Sequence, residues 1–324
     1  MRSQDLDVLT QAQQWLNAGE HPWLCTVVQT IGSSPRPAGS LLAVCNGQLI
    51  GSLSGGCVEE DLLEKLASGA FNDKVPELCQ YGLNAEDNER LGLPCGGCMK
   101  VLIEQLTLSC AEWVERVTTT IRGRQRVVRE VCLTTGTTTL HPVTAFEPLT
   151  LSNDRMRQCF GPRTRLLLVG AGQLAQTLSS LALAMDYEVV VTDPREQLLN
   201  DWPGPPVEKI LGLPDEVILR QQVDADTAII TLTHDPRIDD MALLEALESE
   251  AWYVGALGSV RTSDARRARL RTLGLTDAAV SRLHAPVGLA IGSKTPWEIA
   301  VAIMGGLTEV RHQTRKVSAS KGTS

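Results

Sequence analysis

The sequence predicts an α/β protein: an N-terminal mixed α/β domain followed by a C-terminal Rossmann-like, doubly wound parallel sheet. Three observations carry that prediction. The stretch Gly170-Ala-Gly172-Gln-Leu-Ala175 directly follows an apolar strand and opens a helix, the setting in which a dinucleotide-type glycine loop has meaning. From Arg165 onward, strand and helix patterns alternate in the manner of βαβ units. Before that point the patterns are irregular and mostly sheet-forming, and 324 residues suit two domains better than one core. The expected organisation is residues 1–160, residues 161–311 and a disordered tail over 312–324.

Residues 5–18 carry a helical stripe of Leu6, Leu9, Ala12, Trp15 and Leu16. Trp23 to Thr30 and Ser40 to Val44 read as strands around a turn-rich Gly32 to Gly39. Asn46-Gly47 signals a type I′ hairpin between Leu41–Cys45 and Gln48–Leu53. Val58 to Leu66 is amphipathic and helical, Val101 to Gln105 and the Thr-rich 131–140 look like strands, and a helix is expected near 109–120. In the second half, Arg165–Val169, Glu188–Thr192 and Thr227–Thr233 read as strands and Gly172–Met185 as a helix. Thr295-Pro-Trp-Glu298 has the form of a capping box with proline at the first helical position, starting a last helix over roughly 296–310.

Composition excludes several classes of function. A net charge of −8 disfavours general nucleic-acid binding, which needs a basic face to displace counterions. No apolar run approaches the ~18–20 residues that span a bilayer, and the polar, acidic start lacks the features of a signal peptide, so no membrane association and a cytoplasmic location are expected. The nine cysteines are accordingly expected to be reduced thiols. The basic run Arg261 to Arg271 is read as a solvated helix face.

The chemistry-bearing motifs are few. In Gly51-Ser-Leu-Ser-Gly55-Gly56-Cys57-Val-Glu-Glu60 the thiol of Cys57 falls at a helix start, where unpaired N–H groups favour a thiolate. Cys95-Gly96-Gly97-Cys98 has C-x-x-C spacing, but it lacks the second ligand pair of a structural zinc site and leads into a strand instead of the helix of a thioredoxin-like pair. Its glycines suit close approach of a bulky ligand, and buried small residues are the alternative for its cysteines. Gly170 and Gly172 suit a pyrophosphate at a helix N-terminus, and Asp193, 21 residues beyond Gly172, is placed to accept a ribose hydroxyl. His234, in Thr233-His-Asp235, ends a strand at the same sheet edge, as a ligand contact or as a histidine satisfying local backbone. Gly255-Ala-Leu-Gly258-Ser259 is either a phosphate approach or a plain strand-to-helix turn.

Taken together, Gly32-Ser-Ser-Pro-Arg-Pro-Ala-Gly39, Gly51-Ser-Leu-Ser-Gly-Gly-Cys-Val-Glu59, Cys95-Gly-Gly97, Val169-Gly-Ala-Gly172, Leu232-Thr-His-Asp235, Tyr253-Val-Gly-Ala-Leu-Gly-Ser259 and Leu283-His-Ala-Pro-Val-Gly288 resemble the XdhC/CoxI family of accessory proteins. The signatures run in family order over nearly the whole chain. Two departures are Pro94, where the family commonly has glycine, and Cys98, a thiol outside the core pattern.

The resemblance implies a chaperone without turnover of its own. It would hold the molybdenum cofactor as cargo, as molybdopterin or molybdopterin cytosine dinucleotide, assist its sulfuration, and insert it into a xanthine dehydrogenase- or aldehyde oxidoreductase-type enzyme. The implied partners are the large subunit of that molybdenum hydroxylase, a cysteine desulfurase, a cofactor cytidylyltransferase and a second copy of the chain. Cofactor contacts would then be Gly55, Gly56, Cys57, Cys95, Gly96, Gly97, Gly170, Gly172, Asp193 and His234, with Cys57 and Cys95 as soft-sulfur contacts to molybdenum, in a site expected between the domains. The competing reading is an NAD(P)-dependent oxidoreductase built on Gly170, Gly172 and Asp193, with Cys57 or His234 in the chemistry. A dehydrogenase has no need of two glycine-framed cysteines, and that feature separates the two readings.

Overall fold

The computed structural model describes residues 3–32, 36–71, 76–82 and 98–321, in two compact units, Met1–Pro162 and Arg163–Ser324. Cys95, Gly96 and Gly97 lie outside the described residues.

In the first unit, α1 (Ser3–Asn17) precedes an antiparallel sheet of order β3-β2-β1-β5-β4, made of β1 (Trp23–Ile31), β2 (Leu41–Cys45), β3 (Gln48–Gly51), β4 (Glu77–Tyr81) and β5 (Cys98–Gln105). Alternation along β1 and β2 explains how the sheet is sandwiched. Leu24, Leu41 and Ala43 meet α1 and α3 (Ala111–Arg122) on one face, while Cys25, Leu42 and Val44 meet Val58 and Leu62 of α2 (Cys57–Ala67) on the other. The β2–β3 hairpin turns through Asn46 and Gly47 at φ 48° and 79°, the left-handed pair that a type I′ turn requires.

A second antiparallel sheet, β7-β6-β9-β8, follows in the same unit: β6 (Arg126–Cys132), β7 (Thr138–Val143), β8 (Thr150–Leu151) and β9 (Arg155–Phe160). The Thr-rich segment expected as one strand is therefore the turn and second arm of a hairpin. Between the two sheets Arg129 is fully buried, forks onto Glu104 at 2.6 and 3.0 Å, and lies over the Trp113 ring at 4.0 Å.

The second unit is a six-stranded parallel sheet of order β12-β11-β10-β13-β14-β15. Its strands are β10 (Arg165–Val169), β11 (Glu188–Asp193), β12 (Glu208–Leu211), β13 (Thr227–Thr231), β14 (Tyr253–Ala256) and β15 (Leu283–His284). Its helices are α4 (Gln173–Ala184), α5 (Glu196–Asn200), α6 (Pro214–Arg220), α7 (Pro236–Glu248), α8 (Val260–Thr272), α9 (Asp277–Ser281) and α10 (Pro296–Lys321). Both faces are covered, as a parallel sheet requires. Leu166 and Leu168 pack with α4 and α10 on one side, and Leu167 and Val169 with α7 and α8 on the other. Strand order reverses between β10 and β13, so the crevice of a doubly wound sheet opens over those two carboxyl ends.

The last helix, expected over roughly 296–310, runs from Pro296 to Lys321, with no glycine or proline between Leu307 and Lys321 to interrupt it. The basic run of α8 is not wholly solvated. Arg266 is buried and pairs with Asp239 at 2.8 Å and Asp240 at 3.3 Å, partners drawn from α7 that offset its desolvation. No helix among the described residues is long and apolar enough to cross a membrane.

Candidate functional site

A cleft of about 870 Å³ opens at the switch point of the second unit. Its walls come from the turn after β10 (Gly170, Gly172), the turn after β13 (Thr233, His234, Asp235), and Lys294 and Pro296 at the start of α10. The two glycines serve different ends. Gly170 sits at φ +110°, and a Cβ there would lie 2.8 Å from Thr233 Cγ2, so this glycine lets the two turns close on each other. A Cβ at Gly172 would meet nothing within 4 Å. That residue is the N-cap of α4, where no side chain caps the helix and no acid occupies the first turn, so the free N–H groups of the first turn face an open cradle.

Asp193, at the end of β11, is fully buried beneath this loop. One carboxylate oxygen accepts from Arg195 N (2.9 Å) and Nε (2.8 Å), the other from Ala171 N (2.8 Å) and Arg195 Nη2 (2.8 Å). Burial opposes its ionisation, but the Arg195 hydrogen bonds and the Ala171 N–H outweigh burial and hold the carboxyl below its ordinary range. Both oxygens are engaged by these donors. Asp193 pins the glycine loop and aims Arg195 into the cleft.

The same device recurs across β10. Asp235 N-caps α7 by accepting Arg237 N at 2.9 Å, and it also binds Arg237 Nε at 3.0 Å and Nη2 at 2.8 Å. Those bonds hold its carboxyl at about 2. Both clamps are Asp-Pro-Arg tripeptides, Asp193-Pro194-Arg195 and Asp235-Pro236-Arg237. His234, between them in the turn, is exposed and lines the cleft. The turn is braced from below by Asp239, whose Oδ1 accepts Thr233 Oγ1 at 2.7 Å and Thr233 N at 3.2 Å, while Oδ2 meets Arg266. Burial raises the Asp239 carboxyl to about 6 in spite of the Thr233 bonds and the Arg266 charge.

In the first unit, Gly55 and Gly56 precede Cys57, the first residue of α2. Gly55 adopts φ +87°, which a glycine tolerates without strain. The helix start is not open. Glu59 folds back and gathers Ser52 Oγ (2.9 Å), Leu53 N (3.0 Å), Ser54 N (2.9 Å), Gly55 N (2.8 Å), Gly56 N (3.0 Å) and the Ser54 hydroxyl. Against the cost of burial, the Ser54 hydroxyl and the backbone N–H groups of Ser54, Gly55 and Gly56 bring its carboxyl down to about 2.

Two family models match the chain, the XdhC and CoxI family over residues 15–82 and the XdhC Rossmann domain over residues 166–307. The chain belongs to the XdhC/CoxI family. Among relatives, it is 27% identical to a protein of Bacillus subtilis named as a probable xanthine dehydrogenase subunit, covering 96% of this chain and 98% of that one. It is 29% identical to the molybdenum cofactor insertion chaperone PaoD of Escherichia coli, over 94% and 89% of the two chains. A crystal structure from Bacillus halodurans, described as a xanthine dehydrogenase, shares the fold with a TM-score of 0.77 at 24% identity, over 95% of this chain and 96% of that one.

Within the family signatures, the structure brings Gly170, Gly172 and His234 to one cleft and places Asp193 beneath it. Gly255 proves to be a packing position, since a Cβ there would lie 2.6 Å from Val287 Cγ2. Ser259 caps α8 by accepting Thr262 N at 3.2 Å, so the Gly255–Ser259 stretch is a strand-to-helix turn. The residues missed from sequence are Glu59, Arg195, Arg237 and Asp239. Glu59 was detectable as the acid three residues after Gly56, and the arginines as the repeated Asp-Pro-Arg. Asp239 gave no local signal.

Proposed function

We propose that this chain is a chaperone that binds the molybdenum cofactor as cargo and inserts it into a xanthine dehydrogenase- or aldehyde oxidoreductase-type molybdoenzyme, with no turnover of its own. Family membership and the name of its Escherichia coli relative support the cargo and the partner class. The observation that carries the reading is the cradle at Gly172. It is open where a Cβ would otherwise fit and uncapped at the helix start, and the acid that a dehydrogenase would use for ribose is already consumed.

On this reading the phosphate-bearing end of the cofactor, in the cytosine dinucleotide form its pyrophosphate, enters the cleft beside Gly170, Gly172 and His234. Gly55, Gly56 and Cys57, with Cys95, Gly96 and Gly97, approach the pterin dithiolene and its metal, and soft thiolates of Cys57 and Cys95 suit molybdenum. Sulfuration by a cysteine desulfurase, supply by a cytidylyltransferase, self-association and a cytoplasmic location complete the proposal.

The test is purification of the full chain from a cofactor-competent host, with metal analysis and release of bound pterin and nucleotide. Molybdenum with molybdopterin, and CMP if the dinucleotide is carried, is the expected result. Bound NAD(P) without pterin overturns the reading. Cys57→Ser is expected to lower both cofactor retention and activation of the partner hydroxylase, and unchanged values of both remove Cys57 from the site.

A further inference from the structure

The two Asp-Pro-Arg tripeptides are a repeated device at corresponding places. Each follows a parallel strand at its carboxyl end, β11 on one side of β10 and β13 on the other. In each, the aspartate accepts the arginine's own backbone N–H and then forks onto Nε and Nη2, so the guanidinium is held by two parallel hydrogen bonds instead of wandering in solvent. That grip leaves both Nη1 hydrogens of each arginine unused by its aspartate. Both side chains are substantially exposed, 51% for Arg195 and 89% for Arg237, and both line the cleft that Gly170 and Gly172 also line. Lys294, at the same cleft, forms no ion pair among the described residues.

We propose that Arg195 and Arg237 are a pair of pre-aimed phosphate grips flanking the Gly172 cradle, and that the ligand class of this cleft is an organic diphosphate. The cradle offers helix N–H groups to one phosphate, and the Nη1 groups that the two clamps leave over meet the non-bridging oxygens of the pair from either side. Two carboxylates stand beside the arginines, but their oxygens are turned into the clamps, so each acts on the ligand chiefly by fixing its arginine. Burying Asp193 beneath Arg195 also converts the ribose end of a dinucleotide fold into a phosphate-seeking one, which separates this cleft from one that recognises a ribose diol. The inference deepens the proposed function and rests on its placing of the cargo's phosphate-bearing end in this cleft.

Isothermal titration calorimetry of the full chain with sodium pyrophosphate, CDP, CMP and cytidine tests it without any pterin or molybdenum. Pyrophosphate and CDP are expected to bind, CMP about tenfold more weakly, and cytidine without measurable heat, with affinity falling as salt rises. Arg237→Gln, at a side chain exposed enough to leave the fold intact, and Arg195→Gln are each expected to weaken CDP about tenfold, with Arg237→Lys intermediate.

The proposal is overturned if CDP binds no better than cytidine, if neither pyrophosphate nor CDP binds, or if CDP affinity is unchanged in Arg237→Gln. Failure of the chaperone reading is a separate result. Arginine-dependent CDP binding by a chain that neither carries cofactor nor activates a hydroxylase would leave this inference standing, and cofactor delivery by a chain indifferent to both arginines would sink it alone.

Discussion

Before α2 the chain turns through Ser52–Gly56, and before α4 it turns through Gly170–Gly172, in both cases setting glycines and free backbone N–H groups at a helix start. The first turn closes on a carboxylate of its own helix. Glu59 takes the N–H groups of four successive residues, Leu53 to Gly56, so the anion-binding capacity of the turn is spent inside the molecule. The second turn keeps its donors facing a cleft, and its nearby acid, Asp193, lies underneath as a brace. A glycine-rich helix start is therefore a ligand site only when nothing in the chain has already filled it. In the first unit the internal anion fixes the backbone ahead of Cys57.

The largest expected effect lies in the brace under the cleft. Asp239→Ala leaves Arg266 short of one buried partner and the Thr233 N–H unmet, and should cost about 3 kcal/mol in a denaturant titration. An unchanged midpoint would remove the brace from the account. Gly170→Ala comes next, since strain at φ +110° and a 2.8 Å clash with Thr233 should cost about 2 kcal/mol and splay the two turns. In the first unit, Glu59→Gln keeps the size but loses the charged acceptor, and about 1–2 kcal/mol is expected from the same measurement.

The sign of pH dependence sharpens the contrast. The Glu59 carboxyl is depressed from 4.5 to about 2, so its contribution is whole above 4.5 and is lost as pH falls toward 2. Asp239 is raised from 3.8 to about 6, so its contribution is whole below 3.8 and is lost as pH rises through 6. Stability differences between the wild type and Glu59→Gln, and between the wild type and Asp239→Asn, should drift in opposite directions from pH 7 to pH 3. Parallel drifts would show that the two carboxyls are not shifted in opposite senses. The smallest stability effect is expected for Gly172→Ala, under about 0.5 kcal/mol because its Cβ would enter open space at φ −77°. Its CDP affinity, by contrast, should fall measurably, and a large loss of stability would show that Gly172 serves packing, as Gly170 does.

Much of the architecture was legible without coordinates. The strand Arg165–Val169 falls where its apolar run and flanking residues put it, and Asn46-Gly47 turns as its side chains demand. The capping box at α10 forms with Glu298 accepting Lys294 N at 2.7 Å and Thr295 N at 3.0 Å. These signals are local, and a few neighbouring residues contain all the physics. Asp193 stands at the strand end its position implies, and the bonds it makes there to Arg195 carry no signal in the glycine-loop pattern. Arg266 sits in a run that reads as solvated, and only the packing of α8 against α7 shows it buried.

What the sequence determined by itself is the set of elements, their alternation into a doubly wound sheet, and the two glycine turns at helix starts. Periodicity, turn stereochemistry and capping are properties of the covalent chain. What only the tertiary structure decided is which donors and charges remain for a ligand: that Glu59 fills one turn, that Asp193 and Asp235 aim two arginines at the other, and that Asp239 holds that wall in place from below. Hydrogen bonds and ion pairs saturate. Whether a group is free to bind depends on which partner reaches it first in space, and in this chain the deciding partners lie as close as two residues and as far as 27 apart.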